Sequence, residues 1–156
     1  MSKSLKRVTA HMAELGIAHE ILHVTVPTNT ARQAADVVGC DVDQIAKSVI
    51  FRGQASGQAI LFLTAGGNRV DGAKASDVAG EALGKADADL IRAQTGFAIG
   101  GVSPFGHLNP IRAFIDPRLL EFPVIWAAAG TPHHLFDIAP DLLAEKTGAI
   151  TAVFTE

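Results

Sequence analysis

Residues 47–65 read KSVIFRGQASGQAILFLTA, and the class of the fold turns on them. Two runs rich in β-branched and aromatic residues, KSVIFRG and QAILFLTA, flank QASG. That connection is short and carries a glycine, so the stretch predicts a β-hairpin. In the first run, period two places Lys47, Val49 and Phe51 on one face and Ser48, Ile50 and Arg52 on the other. Upstream, SLKRVTAHMAELGI sets Leu5, Val8, Met12 and Leu15 at spacings of three and four, an amphipathic helix that Gly16 stops. HEILHVTV (19–26) alternates like a strand and ends at Pro27. Asn29 or Thr30 caps the next helix, TARQAADVVG, and Asp41 caps a short turn after it. Downstream, AKASDVAGEAL and DADLIRAQTGF predict two short helices, the second capped by Asp87 or Asp89. RAFIDP, VIWAAAG, HHLFDI and AITAVFT predict strands, PRLLEF a short helical connection, and APDLLAEKTG a last helix. The order is too irregular for a doubly wound sheet. The expectation is an α/β domain over residues 1–156, a mixed sheet with helices packed outside it.

Composition bounds what such a domain can do. The chain has 156 residues, 48% of them hydrophobic and 19% charged, enough to bury one continuous core. A net charge of −3 cannot hold a polyanion by bulk attraction, so any nucleic-acid contact has to be local. The single cysteine, Cys40, excludes an internal disulfide and a paired-cysteine metal site, and its place after Gly39 suggests packing at a helix end. No stretch approaches the roughly 20 apolar residues needed to cross a bilayer, and the N-terminus lacks a signal-type apolar core. A cytoplasmic protein without a membrane partner is the expectation.

Several chemistries lack their residues. There is no GxxxxGK[ST] and no GxGxxG for phosphates, and no HExxH or HxH among the six histidines. His19 and His23 find no carboxylates in register, so no metal and no cofactor is expected. A serine hydrolase needs GxSxG, whereas in GGVSPFGH (100–107) Ser103 is followed by Pro104, which has no N–H to give an oxyanion. Asp87 and Asp89 read as helix capping, and Trp126 as core. Two features remain. Lys47 stands where a helical segment passes into an apolar strand, either snorkelling at the strand end or pointing into a cleft. The stretch 100–107 is either a tight turn or a loop whose glycines let backbone approach a ligand, stiffened by Pro104. Together, a cleft lysine and a rigid amide-lined loop could hold an ester beside a negatively charged neighbour.

The combination TARQAADVVGCDVDQIAKSVIF, GGVSPFGH and AAAGTPHHLFDIAPDLLAEKTGA resembles the YbaK/prolyl-tRNA editing domain family over nearly the whole chain. The resemblance is closer to the stand-alone branch than to the insertion domain of prolyl-tRNA synthetases. It implies a barrel-like, mostly antiparallel sheet. The implied activity is hydrolysis of the ester joining a wrong, small amino acid to the 3′ end of a tRNA, often tRNA(Pro). On that resemblance Lys47 engages the terminal region of the substrate. Gly100, Gly101, Val102 and Ser103 are backbone donors to the aminoacyl carbonyl, and Pro104 holds the loop. Thr30 and Thr131, with His133 or His134, border the amino-acid pocket, although Thr30 reads equally well as an N-cap. Strand alternation allows only one of the two histidines to face inward. The attacker is the vicinal ribose hydroxyl, a water, or the amino acid's own side chain. The partners are the aminoacyl-tRNA acceptor end, with Lys74, Arg69 and Lys85 as phosphate contacts, and prolyl-tRNA synthetase. A non-catalytic module binding an aminoacyl-tRNA or a synthetase, and an esterase for small metabolites, are the competing readings.

Overall fold

Strand β3 (Ala59–Ala65) is buried at every position, and the rest of the protein is arranged around it. The computed structural model describes residues 2–17 and 20–156; His19 and the start of the 19–26 strand fall outside them. The hairpin forms as the sequence predicts. β2 (Ala46–Gly53) pairs antiparallel with β3, with Lys47 opposite Thr64, Val49 opposite Phe62 and Phe51 opposite Ile60. β4 (Leu83–Lys85) pairs antiparallel with β2, while β5 (Arg112–Ile115) and β8 (Ile150–Thr151) extend the other edge in parallel. The order is β4-β2-β3-β5-β8. A second sheet, β1 (Leu22–His23), β7 (His134–Ile138) and β6 (Ile125–Ala128), is antiparallel. The two sheets touch at a parallel bridge between Ile45 and Trp126. They do not close into a barrel; the barrel-like expectation is corrected to two linked sheets.

Burial on both faces explains why β3 reads as an almost unbroken apolar run. Leu61 and Leu63 join Leu5, Val8 and Met12 of α1 (Lys3–Glu14), together with Phe97, Phe105 and Phe136. Ile60 and Phe62 face the other way, onto Phe114, Phe154 and two alanines, Ala75 and Ala79, of α3 (Gly72–Ala79). Each fully buried Phe or Leu contributes about 1.5–3 kcal/mol by leaving water. Glycines at φ between +70° and +90° end α2 (Ala31–Val38), α3 and α4 (Ala88–Thr95) at Gly39, Gly80 and Gly96. Asp87 rather than Asp89 caps α4, and Asp41 caps the 3-10 turn at Val42–Gln44. A second 3-10 turn (Pro117–Glu121) and α5 (Pro140–Thr147) complete the helices.

Three expectations change. The helix read over 73–83 stops at Gly80, and its tail becomes β4, because the edge of β2 takes Leu83–Lys85 as a partner. The strands read over 19–26 and 149–155 shrink to β1 and β8, both exposed, although Val24 and Phe154 in the same runs are buried. Trp126, expected in the core, is half-buried against a small apolar cluster, on which Cys40 packs at the end of α2 as expected. Among the described residues, no helix is long and apolar enough to cross a membrane.

Candidate active site

Lys47 sits one residue into β2, on the sheet face it shares with Val49 and Phe51. Its ammonium does not run out to solvent. Nζ donates to the carbonyl of Asn68 at 2.5 Å and lies 3.4 Å from that of Gly66, so the turn after β3 grips it. An ammonium has three N–H groups, and two carbonyls leave one for another acceptor. Burial pulls Lys47 below the usual lysine value; Arg69 adds to this, while Asp116 and Asp43 oppose it. The lysine is therefore pinned in a partly dry place, with its charge supported from behind.

The segment facing it, residues 98–107, has neither helix nor strand. Gly100 has φ +91°, a backbone state that side-chain-bearing residues rarely adopt. Gly101 leans on the turn at 130–131: a Cβ there would lie 3.1 Å from the Thr131 Cα. Behind the loop, Arg7 Nε donates to Gly106 O at 3.1 Å, and the Gly106 N–H donates to His11 Nδ1 at 2.8 Å. His107 Nε2 donates to Ser103 O at 2.6 Å. With Nε2 carrying the proton, Nδ1 is a bare acceptor, buried and without a partner among the described residues. Burial pushes His107 down to about 4. The loop is thus fixed by side chains from α1 and by its own histidine.

Between the two walls lies a hollow of about 110 Å³, lined by Lys47 and Ser48, by Gly100 and Val102, and by Thr28, Asn29, Thr30, Ala34, Ala128 and Leu135 among others. It opens into a wider recess of about 590 Å³ that shares Lys47, Thr30 and Gly100 and adds Arg32, Gly67 and Ile99. Thr30 stands where α2 begins and on the edge of the hollow. Its Oγ1 caps α2 by accepting from the Gln33 N–H, and it also lines the hollow. No hydroxyl in the hollow is paired with a histidine or carboxylate among the described residues: Thr28 donates to Pro132 O and Thr30 serves its cap.

Other expected residues lie elsewhere. The Gly101 N–H is used within the loop on Ala98 O (3.2 Å), which removes it as a donor. Ser103 is fully buried beneath the loop, its Oγ accepting from Phe105 N, and Pro104 lines a separate cavity on the far side with His11 and His107. That leaves Gly100 and Val102 lining the hollow, and neither N–H has an acceptor among the described residues. Thr131, His133 and His134 are not in its lining. Period two along β7 gives the hollow Leu135 and turns His134 away, to a 2.6 Å contact with Thr131 Oγ1, while His133 meets Val24 O from the preceding turn. Lys74 reaches back to Thr155 O, whereas Arg69 and Lys85 are exposed. Sequence reasoning missed Asn68 and Asp116, because the turn that grips Lys47 is only a glycine-rich stretch until β3 and β5 are paired.

Comparison with known proteins agrees with this architecture. The sequence model of a family described as aminoacyl-tRNA editing domain matches residues 25–146. A Bacillus subtilis (strain 168) protein, YwhH, itself uncharacterized, is 30% identical over 142 residues, covering 91% of this chain and 90% of that one. The crystal structure of a protein proposed as a trans-editing enzyme for prolyl-tRNA synthetase has a TM-score of 0.93 at 42% identity, over 100% of this chain and 99% of its own. Hypothetical protein APE2540 retains the fold at 27% identity, with a TM-score of 0.88 over 96% and 99% of the two chains. Sequence and backbone agree from the first helix to the last strand, and the chain belongs to the aminoacyl-tRNA editing domain family.

Proposed function

We propose that the protein hydrolyses mischarged aminoacyl-tRNA in trans, removing a small amino acid from a tRNA of the tRNA(Pro) type in the cytoplasm, in company with prolyl-tRNA synthetase. The observation that carries this reading is the shared hollow: Lys47, Gly100 and Val102 line one space. Placed there, the ester carbonyl meets oriented N–H donors where negative charge builds as it is attacked, and these need no reorganisation. Lys47 offers its remaining N–H and its charge to the terminal ribose and phosphate. With no activated side-chain nucleophile in the hollow, the attacker is a water or the vicinal ribose hydroxyl acting through a water. Water adds to the carbonyl carbon, the bond to the ribose oxygen breaks, and a free amino acid and a free 3′ end result. The inner hollow, walled by Ala34, Ala128 and Leu135, suits a small side chain, and the wider recess suits the terminal nucleoside.

The test is a deacylation panel of small amino acids on tRNA(Pro) and tRNA(Ala). At least one charged species is expected to lose its amino acid, with Lys47→Ala slowing this about 100-fold or more while the melting temperature holds. An unaffected Lys47→Ala protein would remove that residue from the reaction. Tight binding of charged tRNA with no hydrolysis of any species would make the protein a binding module, and hydrolysis of simple aminoacyl esters without tRNA would make it a small-ester esterase.

A further inference from the structure

We infer that Asp116 is a positioning residue for Lys47, holding through the turn at 65–68 the two carbonyls that grip the ammonium; this rests on the deacylase reading above. Asp116 follows β5 and is 2% exposed. One carboxylate oxygen, Oδ1, accepts from Arg118 N at 2.9 Å, the ordinary cap of the 3-10 turn that starts at Pro117. The other does something the cap does not require. Oδ2 reaches across to β3 and the turn after it, accepting from Ala65 N at 3.1 Å and Asn68 Nδ2 at 2.9 Å. Asn68 is the residue whose carbonyl accepts a hydrogen bond from Lys47 Nζ at 2.5 Å.

The same turn is held from its other side by Asp43, whose Oδ1 accepts from Gly67 N at 2.8 Å while Oδ2 pairs with Arg118 at 3.0 Å. The turn has no slack to take up: a Cβ on Gly66 would run into Val42 O and lie 2.8 Å from the Ala31 Cβ. Arg118 directs its guanidinium to Asp43 and Glu121, and among the described residues no cationic side chain pairs with the Asp116 carboxylate. A buried carboxylate satisfied only by N–H groups remains a source of negative potential. The groups whose charges act on Lys47 are Arg69, Asp116 and Asp43, and Asp116 is the most deeply buried of the three. Asp116 thus does two things for Lys47: it fixes the acceptors and it stabilises the protonated form.

The experiment compares wild-type protein with Asp116→Asn and Asn68→Ala in two measurements. One is the pH–rate profile of deacylation. The other is trace acylation of Lys47 followed by mass spectrometry against pH, which needs no turnover. Asp116→Asn is expected to lower kcat about tenfold at neutral pH, to move the alkaline limb of the profile to lower pH, and to make Lys47 reactive at lower pH. Asn68→Ala keeps the Asn68 carbonyl but loses its tie to Asp116, and shifts both readouts the same way by less. A merely structural carboxylate would lower the melting temperature and leave both pH readouts in place. Unchanged Lys47 titration and kcat in a folded Asp116→Asn protein would overturn the inference; should that variant not fold, Asn68→Ala decides by the same readouts. If wild-type protein hydrolyses no charged tRNA, the functional reading fails, while the acylation measurement still reports on Asp116 and Lys47.

Discussion

The wall of the hollow that carries Lys47 is the end of a half-buried strand paired with the fully buried β3, whereas the wall opposite, residues 98–107, has no ladder at all. The first wall is held by backbone pairing between neighbours in sequence, Lys47 opposite Thr64 and Val49 opposite Phe62. The second is held by Arg7 and His11, which stand more than 90 residues earlier, and by His107 from within. An irregular loop can be as fixed as a sheet, provided that side chains satisfy the backbone groups a ladder would have used. The loop wall therefore depends on particular distant residues, and the sheet wall on general apolar burial.

The largest test of that contrast is Phe62→Ala. Phe62 is fully buried against Phe51, Phe114 and Phe154, on the sheet face away from α1. Its loss is expected to cost about 4 kcal/mol in urea unfolding, with deacylation per folded molecule changed less than about twofold. A collapse of activity in the folded fraction would mean that the sheet wall, too, depends on particular residues rather than on general burial. Gly106→Ala comes next. Gly106 has φ +79°, and a Cβ there would lie 2.8 Å from Val8 N and 2.9 Å from Val8 Cα. The combined strain and displacement of α1 are expected to cost about 3 kcal/mol and to slow deacylation as well. Gly39→Ala, with φ +74° and nothing within 4 Å, isolates the backbone strain alone, about 1 kcal/mol.

A third test uses pH. His107 is held neutral in the folded protein, with its value pushed down to about 4, whereas the unfolded chain takes up a proton near 6.5. Between those values the unfolded state binds more protons, so folding stability falls as pH drops through the window, by up to about 1.4 kcal/mol per unit. Below about 4 the folded form protonates too and this contribution levels off. Urea midpoints measured from about pH 7.5 to about pH 4.5 are expected to fall more steeply for wild-type protein than for His107→Gln. Parallel curves would show that the loop's own histidine does not resist charging.

What could be read from the sequence divides along the same line. The β2–β3 hairpin, the α1 face and the placing of Lys47 at a strand head follow from local spacing, which also narrows the caps to Asn29 or Thr30 and Asp87 or Asp89. β4 was hidden because Leu83–Lys85 becomes a strand only when the free edge of β2 is there to receive it. His133 and His134 are pocket candidates on the family resemblance; alternation admits only one of them and cannot say which face of β7 meets the hollow, where Leu135 stands. Asp116 reads as a turn cap, and half of its carboxylate serves that role. The other half spans to Ala65 and Asn68, contacts that no window of local sequence contains.

The family's matched span, residues 25–146, starts after α1 ends. A fragment trimmed to that boundary would keep each residue that borders the hollow and yet discard Arg7 and His11, the brace on its back. The brace on the hollow therefore lies outside the segment by which its kin are detected, and a bulky fusion pulling on the leading helix is expected to disturb the loop that walls it.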